Sequence, residues 1–148
     1  MKFQLIRLFE YNLWANQKFG EILKVSVFKN PKILTFISHI LNAQLIWIDR
    51  IKGKVSETKV WTEYPIESAV DKLLESSQAW LEMLENESDF DRMISYQNSL
   101  GDSHSSVISD IISHVANHGT HHRGQIALLL REEDIAPPAS DFIFFSSL

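Results

Sequence analysis

The sequence predicts an all-α protein, a four-helix bundle with a long connection between helices and a C-terminal tail. Four segments carry apolar side chains at helical spacing, and each is about 20 residues long, enough for about 30 Å of helix. The chain has no cysteine, so disulfides and thiolate zinc sites are excluded. Its 148 residues suit one domain with its own core, and we therefore expect a single domain over residues 1–148.

The first two helices are predicted over Phe3–Leu23 and Lys32–Lys52. Asn30 and Pro31 mark the start of the second, because Asn caps helix N-termini and Pro fits the first turn. Gly53 follows the last apolar position and predicts the end of that helix. The first helix shows its apolar side at Leu5, Leu8, Phe9, Leu13, Phe19 and Ile22.

A polar connection and a third helix follow. The connection runs to residue 65 and contains Trp61, an apolar anchor in a segment that otherwise reads as a loop. The third helix is predicted over Ile66–Glu87, where apolar residues return at helical spacing. After it, the residues around Met93–Tyr96 have some β character, and a short hairpin there is compatible with the turn residues that follow.

The fourth helix is predicted to begin between Ser103 and Ser106 and to run to Glu133. The pair Pro137-Pro138 prevents any continuation of this helix. The tail, residues 141–148, contains three phenylalanines and is too apolar to remain free in water. We expect the tail to pack back on the bundle or on a partner.

Charge and hydropathy exclude several classes of protein. The net charge of −5 argues against a nucleic-acid partner, because such proteins usually carry a basic face. No apolar run approaches the roughly 18 residues that a membrane span needs, and the N-terminus lacks the features of a signal peptide. The expectation is a cytoplasmic protein without a membrane or nucleic-acid partner.

Histidines are concentrated in the fourth helix. Five of the six lie between positions 104 and 122. With His114 as origin and about 100° per residue, most apolar residues of this segment fall between about 20° and 120°. His118 at about 40° and His122 at about 80° lie inside that arc, whereas His121 at about 340° lies on its flank. A lone inward histidine is usually a hydrogen-bonded core residue, but an inward pair four residues apart can share one metal ion.

A further ligand has to come from another helix. His39 is the remaining histidine, and the helical wheel places it at the edge of the apolar stripe of the second helix. This placement alone leaves the role of His39 open. A carboxylate is the alternative ligand, although Asp49, the nearest acidic residue on that helix, is predicted to point away.

Together these segments resemble the DinB/YfiT-like superfamily, and its DinB branch in particular. The run HVANHGTHHRGQ at residues 114–125 is similar to the family signature. The runs YNLWAN at 11–16 and SHILNAQLIWIDR at 38–50, with Gly53 after them, are similar to the family's first two helices. Pro137-Pro138 followed by Asp141-Phe142 is similar to its C-terminal segment, so that the resemblance covers nearly the whole chain.

The resemblance implies an up-down bundle with a long connection, a frequent homodimer and a site for one divalent metal ion. Carried over to this sequence, the metal ligands are His39, His118 and His122. Zinc or nickel is the first expectation for the ion, with iron, copper or manganese as alternatives. Characterised members of the superfamily resemble S-transferases that use small thiols, so a thiol and a small electrophile are the partners that it suggests.

Two function classes therefore remain open. The first is a metal-dependent S-transferase or related hydrolase, in which His121 moves a proton and Arg50 holds a substrate carboxylate. The simpler alternative for Arg50 is an ordinary ion pair. The simpler alternative for His121 is a surface position without a role in the site. The second is a non-catalytic metal-binding protein of the stress response, in which the ion is structural or supports ligand binding.

Overall fold

The computed structural model describes all 148 residues, and most of them are helical. Three of the four long helices lie within two residues of their predicted bounds. Gly53 has a φ of 71° just after the second helix, as a glycine that terminates a helix commonly does. The elements in chain order are α1 (Lys2–Val25), α2 (Lys32–Ile51), α3 (Ile66–Asn86), β1 (Met93–Gln97), β2 (Ser103–Val107), α4 (Ile108–Glu132) and α5 (Phe142–Ser146).

The fold is not strictly all-α, and the predicted start of the fourth helix was wrong. Residues 103–107 form strand β2, which pairs antiparallel with β1 in the register Met93 to Val107 and Gln97 to Ser103. The turn between the strands contains Gly101, whose φ of 88° suits a residue without a side chain. The hairpin that the sequence allowed at 93–96 is therefore present, and α4 begins only at Ile108.

The four long helices pack around an apolar core. Helix α1 packs on α3 and α4, and α2 packs on α3 and α4. One half of the core is centred on Trp80, whose ring stacks on Phe9 with centroids 4.8 Å apart. The other half lies around Ile37 and Leu73. For the site, the consequence is that α2 and α4 run side by side with side chains from both facing each other.

The connection between α2 and α3 is fastened to α2 by hydrogen bonds. The side-chain amide of Asn42 donates to the carbonyls of Val60 at 3.1 Å and Thr62 at 2.8 Å. The backbone N–H of Tyr64 donates to the hydroxyl of Ser38 at 3.2 Å. These bonds hold residues 60–64 against the middle of α2.

The C-terminal tail packs back on the bundle, which is one of the two alternatives that the sequence predicted. Its short helix α5 places Phe142 and Phe145 against Tyr11 of α1, with ring centroids 5.1 and 5.8 Å apart. Ile143 and Phe144 nevertheless remain 67% and 49% exposed. None of the helices of this chain has the length and hydropathy needed to cross a membrane.

Candidate metal centre

Helices α2 and α4 bring three histidines together. The Nε2 atom of His118 lies 2.9 Å from Nε2 of His39 and 3.1 Å from Nε2 of His122. One nitrogen from each ring lies within 4.8 Å of the other two, and this group is able to hold a metal ion. The packing of α2 on α4 creates the cluster, because the single histidine of α2 meets the i, i+4 pair of α4.

Backbone and side-chain oxygens orient two of the rings. The Nδ1 atom of His39 lies 3.1 Å from the carbonyl oxygen of Val60, and Nδ1 of His122 lies 2.5 Å from Oε1 of Gln125. An oxygen of this kind only accepts, so each Nδ1 carries the proton and each Nε2 presents a lone pair. This arrangement orients metal-ligating histidines in many proteins.

The third ring has an unsatisfied atom. The Nδ1 atom of His118 is buried and has no hydrogen-bond partner. Its Nε2 faces the lone pairs of His39 and His122, and a single N–H can serve only one of them. Three nitrogens that converge in this way repel one another unless a cation lies between them. The donor set therefore fits a divalent ion of the kind that imidazole prefers, such as zinc, nickel, copper or iron.

Electrostatics keep the cluster neutral. Burial, and then the charges of the neighbouring histidines, lower the pKa of His118 to about 3. Burial also lowers the pKa of His39, although its bond to Val60 acts in the opposite direction. The pKa of His122 is lowered chiefly by burial as well. Neutral imidazole is the form that binds a metal, so the site stays ready to coordinate throughout the physiological pH range.

Aromatic rings form the walls of the cluster. Trp61 stacks on His39 with ring centroids 4.0 Å apart and planes at 7°, and Phe36 stacks on His122 at 5.5 Å. The sequence singled out Trp61 only as an apolar anchor. Its neighbour Val60 supplies the oxygen that orients His39, a role that sequence alone does not reveal, because any residue carries this carbonyl.

The other histidines lie outside the cluster. His121 is exposed, and its ring centroid is 4.9 Å from that of His122. His114 lies between the cluster and Trp47, with centroids 5.8 Å from His118 and 5.5 Å from the indole. His104 is on β2, away from the site, and contacts Asn98. The structure thus brings His121 beside His122, one of the three candidate ligands.

Arg50 lies farther along α2, at a cavity of about 570 Å³ that none of the three histidines lines. Its guanidinium carbon is 4.5 Å from the ring centroid of Trp47 and 4.8 Å from that of Tyr96. One Nη donates to the carbonyl of Gln97 at 2.9 Å. The sequence predicted that Arg50 holds a substrate carboxylate but did not predict its packing against the hairpin.

Sequence reasoning missed a second buried polar cluster. Arg123, only 2% exposed, donates to Oδ1 of Asn12 at 2.8 Å and of Asn16 at 2.7 Å. Gln44 of α2 continues the network with its own bonds to α1 and α3. We call this the arginine network, with the side chains Arg123, Thr120, Asn12, Asn16, Gln44, Ser76 and Ser77. The run YNLWAN carried two of its members, but no spacing rule assigns buried amides to a buried arginine.

The fold and the site together define the class of protein. It is a mostly helical protein with three histidines that could hold a metal ion. The chain belongs to the DinB family, whose family model matches residues 1–148. The resemblance inferred from the motifs is therefore confirmed.

Two relatives from Bacillus subtilis (strain 168) and one solved structure match nearly full length. Protein DinB is 31% identical over 156 aligned positions, which cover 92% of this chain and 90% of the relative. Uncharacterized protein YizA is 26% identical over 151 positions, with 94% of each covered. The crystal structure of a DinB-like protein from Bacillus cereus ATCC 10987 has a TM-score of 0.71 at 21% identity, covering 91% of this chain and 94% of that one, and shows the fold alone.

Proposed function

We propose that this protein is a metal-dependent enzyme, a thiol-dependent S-transferase or related hydrolase that acts on small electrophilic molecules. The observation that carries the proposal is the convergence of three Nε2 atoms from His39, His118 and His122. Three neutral nitrogens leave a bound ion its full charge and at least one open position, which is typical of catalytic rather than structural sites. Zinc or nickel is our first assignment, with iron, copper or manganese as alternatives.

A divalent ion bound there would make a thiolate or hydroxide available at neutral pH. The residues of the chain supply orientation and partial shielding from water. Val60 and Gln125 hold the His39 and His122 rings, so that their lone pairs converge. Trp61 and Phe36 keep water from the outer faces of these rings, which strengthens electrostatic interactions within the site.

His121 and Arg50 have proposed roles beside the ligands. His121 is exposed next to His122, with ring centroids 4.9 Å apart. It would remove the proton of the incoming thiol or water. Arg50 would hold a carboxylate of the substrate, because its planar guanidinium suits bidentate contacts with such groups.

Rates before and after metal removal test this proposal. The chelated protein should not conjugate thiols with electrophiles or hydrolyse activated substrates, and reloading zinc or nickel should restore the rate. His121→Ala should slow the metal-loaded protein by about 100-fold, within the range of general acid–base catalysis, and leave its metal content unchanged. Equal rates for the metal-free and metal-loaded protein, across a broad panel of thiols and electrophiles, would contradict the proposal.

A second candidate is a non-catalytic metal-binding protein of the stress response. The observation that favours it is the location of the cavity at Arg50, which none of the three histidines lines. In that case the ion would stabilise the contact of α2 with α4 and no reaction would depend on it. Metal removal would then lower the thermal midpoint without changing any rate in the panel.

Further proposals concern architecture and assembly. We propose that the four long helices form a four-helix bundle with a long connection, that residues 1–148 are one domain and that the protein is cytoplasmic. We also propose a homodimer, because Ile143 and Phe144 of the tail leave apolar surface exposed. Light scattering at micromolar concentration should give twice 17.1 kDa, and a mass of 17.1 kDa would contradict the dimer.

A further inference from the structure

A large cavity lies beside the histidine site. It has a volume of about 570 Å³ and is enclosed by the end of α2, the connection that follows it, and strand β1 with its turn. Sites for small molecules commonly have volumes of about 300–1,000 Å³. Arg50, proposed above to hold a substrate carboxylate, lines this cavity.

The charges that line this cavity have one sign. Arg50, Lys54 and Lys59 are the charged residues among its 14 lining residues, and no carboxylate is among them. Glu57 is a sequence neighbour of the lining residues, and Asp102 bonds to Asn98, but neither lines the cavity. The two salt bridges of the protein lie elsewhere. In a chain with a net charge of −5, three cations without acidic partners make this cavity a favourable environment for an anion.

Arg50 is held in place for such a contact. Its guanidinium lies close to the rings of Trp47 and Tyr96, and a single hydrogen bond joins it to the carbonyl of Gln97. Most of its five donors therefore remain available, and the packing has already removed much of their freedom of motion. Burial lowers the pKa of this guanidinium, so a bound anion would offset an existing cost of desolvation.

We propose that this cavity binds the phosphate or carboxylate group of a small molecule. The cavity is much larger than either group, so the ligand also carries an organic body. One wall is shared with the histidine site, because Val60 lines the cavity and its carbonyl accepts the hydrogen bond from His39. Anion binding in this cavity is inferred from the lining residues alone. That the bound molecule is the substrate rests on the proposed function.

Titration with three matched compounds, followed by NMR of the backbone amides, tests the anion site. Glycerol 3-phosphate, glycerate and glycerol share one body and differ in the charged group. In the metal-free protein, at least one of the two anions should bind and shift the amides of Val60, Gln97 and Asn98, whereas glycerol should not. The tighter of the two anions identifies the charged group. Binding by neither anion, or equal binding by glycerol, would overturn the proposal.

Variants locate the binding. Arg50→Gln should weaken the affinity for the anion about tenfold or more, as expected for loss of a charge-assisted hydrogen bond. The double variant Lys54→Gln, Lys59→Gln leaves the packing of Arg50 in place. It should weaken the affinity for the anion severalfold. Lys52→Gln removes the same charge from an exposed residue that does not line the cavity, and should leave the affinity unchanged. Unchanged affinity in the double lysine variant would count against the cavity.

Metal dependence separates this inference from the proposed function. Binding that occurs only in the zinc-loaded protein and survives Arg50→Gln would place the anion on the metal and overturn the cavity site, with the proposed function unaffected. Anion binding by the metal-free protein, together with no metal-dependent rate in any assay, would support the cavity site and remove the proposed function.

Discussion

The two buried polar clusters of this protein differ in how their hydrogen bonds are completed. In the arginine network, every buried side-chain nitrogen and oxygen has a partner, and its members come from all four long helices. In the histidine cluster, Nδ1 of His118 is buried without a partner, the one such atom in the protein. The three Nε2 atoms there face only one another.

This difference separates a structural cluster from a functional one. A buried polar group without a partner costs free energy, so a protein keeps one only where something else compensates. The arginine network needs nothing from outside and can hold the helices in register. In the histidine cluster a cation among the three Nε2 atoms would satisfy lone pairs that a single N–H cannot serve, whereas Nδ1 of His118 would still lack a partner. Variants in the first should affect stability, and variants in the second should affect metal binding.

The largest effect on stability is expected from Arg123→Met. The substitution removes the donor to Asn12 and Asn16 and leaves two buried amide oxygens without a partner. Although it also removes a charge whose burial lowers the pKa of Arg123 to about 10, we expect a loss of about 2–4 kcal/mol in the free energy of unfolding. Urea unfolding measures this loss, and the metal content of the folded variant should stay at one equivalent.

Arg131→Met is the matched control, because Arg131 is an exposed arginine of the same helix. Its stability should change by less than about 0.5 kcal/mol. Equal stability of both variants would show that the arginine network does not hold the helices together.

Gln125→Ala should weaken metal binding and leave stability nearly unchanged, the opposite of Arg123→Met. It removes the acceptor that orients His122, and loss of such a supporting contact commonly weakens metal affinity about 10- to 100-fold. The stability of the metal-free protein should hardly change, since Gln125 is only half-buried. Competition with a chelating dye measures the affinity. If the variant binds metal as tightly as the natural chain, the claim that Gln125 orients His122 for metal binding is contradicted.

A smaller effect on stability is expected from Gly119→Ala. A Cβ atom at this position would lie 2.8 Å from Oδ1 of Asn12 and 2.9 Å from Nη1 of Arg123, so the arginine network would have to shift. We expect a loss of about 1–2 kcal/mol, as for other overpacked sites, despite the better helix propensity of Ala.

Gly124 of the same helix provides the comparison, because a Cβ there would meet nothing within 4 Å. Gly124→Ala should stabilise the protein by up to about 1 kcal/mol, as helix propensity predicts. Thermal melts of the two variants should therefore shift in opposite directions, and a shift in the same direction would contradict this account.

A further effect concerns pH and the metal-free protein. The pKa of His118 is about 3 in the folded state, and histidine in an unfolded chain has a pKa of about 6.5. Between these values the unfolded state binds more protons, so the stability contributed by neutral His118 is complete above about pH 6.5 and declines as the pH falls towards 3. His39 and His122 act in the same direction.

Urea unfolding at about pH 7.5 and about pH 5.5 should therefore show lower stability at the acidic value. The decline should be shallower in His118→Leu, which has no proton to bind. An identical decline in this variant and in the natural chain would contradict the assignment to the histidine cluster.

Sequence periodicity predicted most of the helical framework and two of the three histidines. The bounds of α1, α2 and α3 followed from apolar spacing and from local signals such as Gly53. The helical wheel placed His118 and His122 on the inner side of α4, because that decision depends only on residues of the same helix. The wheel left His39 open, and its inclusion came from the resemblance to the family.

The features that sequence did not predict depend on contacts between distant segments. Strand β2 is a strand because it pairs with β1, whereas its serines alone indicate no strand. The burial of Arg123 depends on Asn12 and Asn16, more than 100 positions away in the chain. The orientation of His39 depends on a backbone carbonyl of the α2–α3 connection.

Metal stoichiometry tests the central claim most directly. After chelation, reloading with zinc and removal of excess ion, elemental analysis should give one equivalent per chain for the natural protein and for His104→Ala, which lacks a histidine outside the cluster. The double variant His118→Ala, His122→Ala should fold, as judged by circular dichroism, and retain less than about a tenth of an equivalent, because two of three ligands are lost. Full stoichiometric binding by that double variant would contradict the claim that these histidines hold the metal.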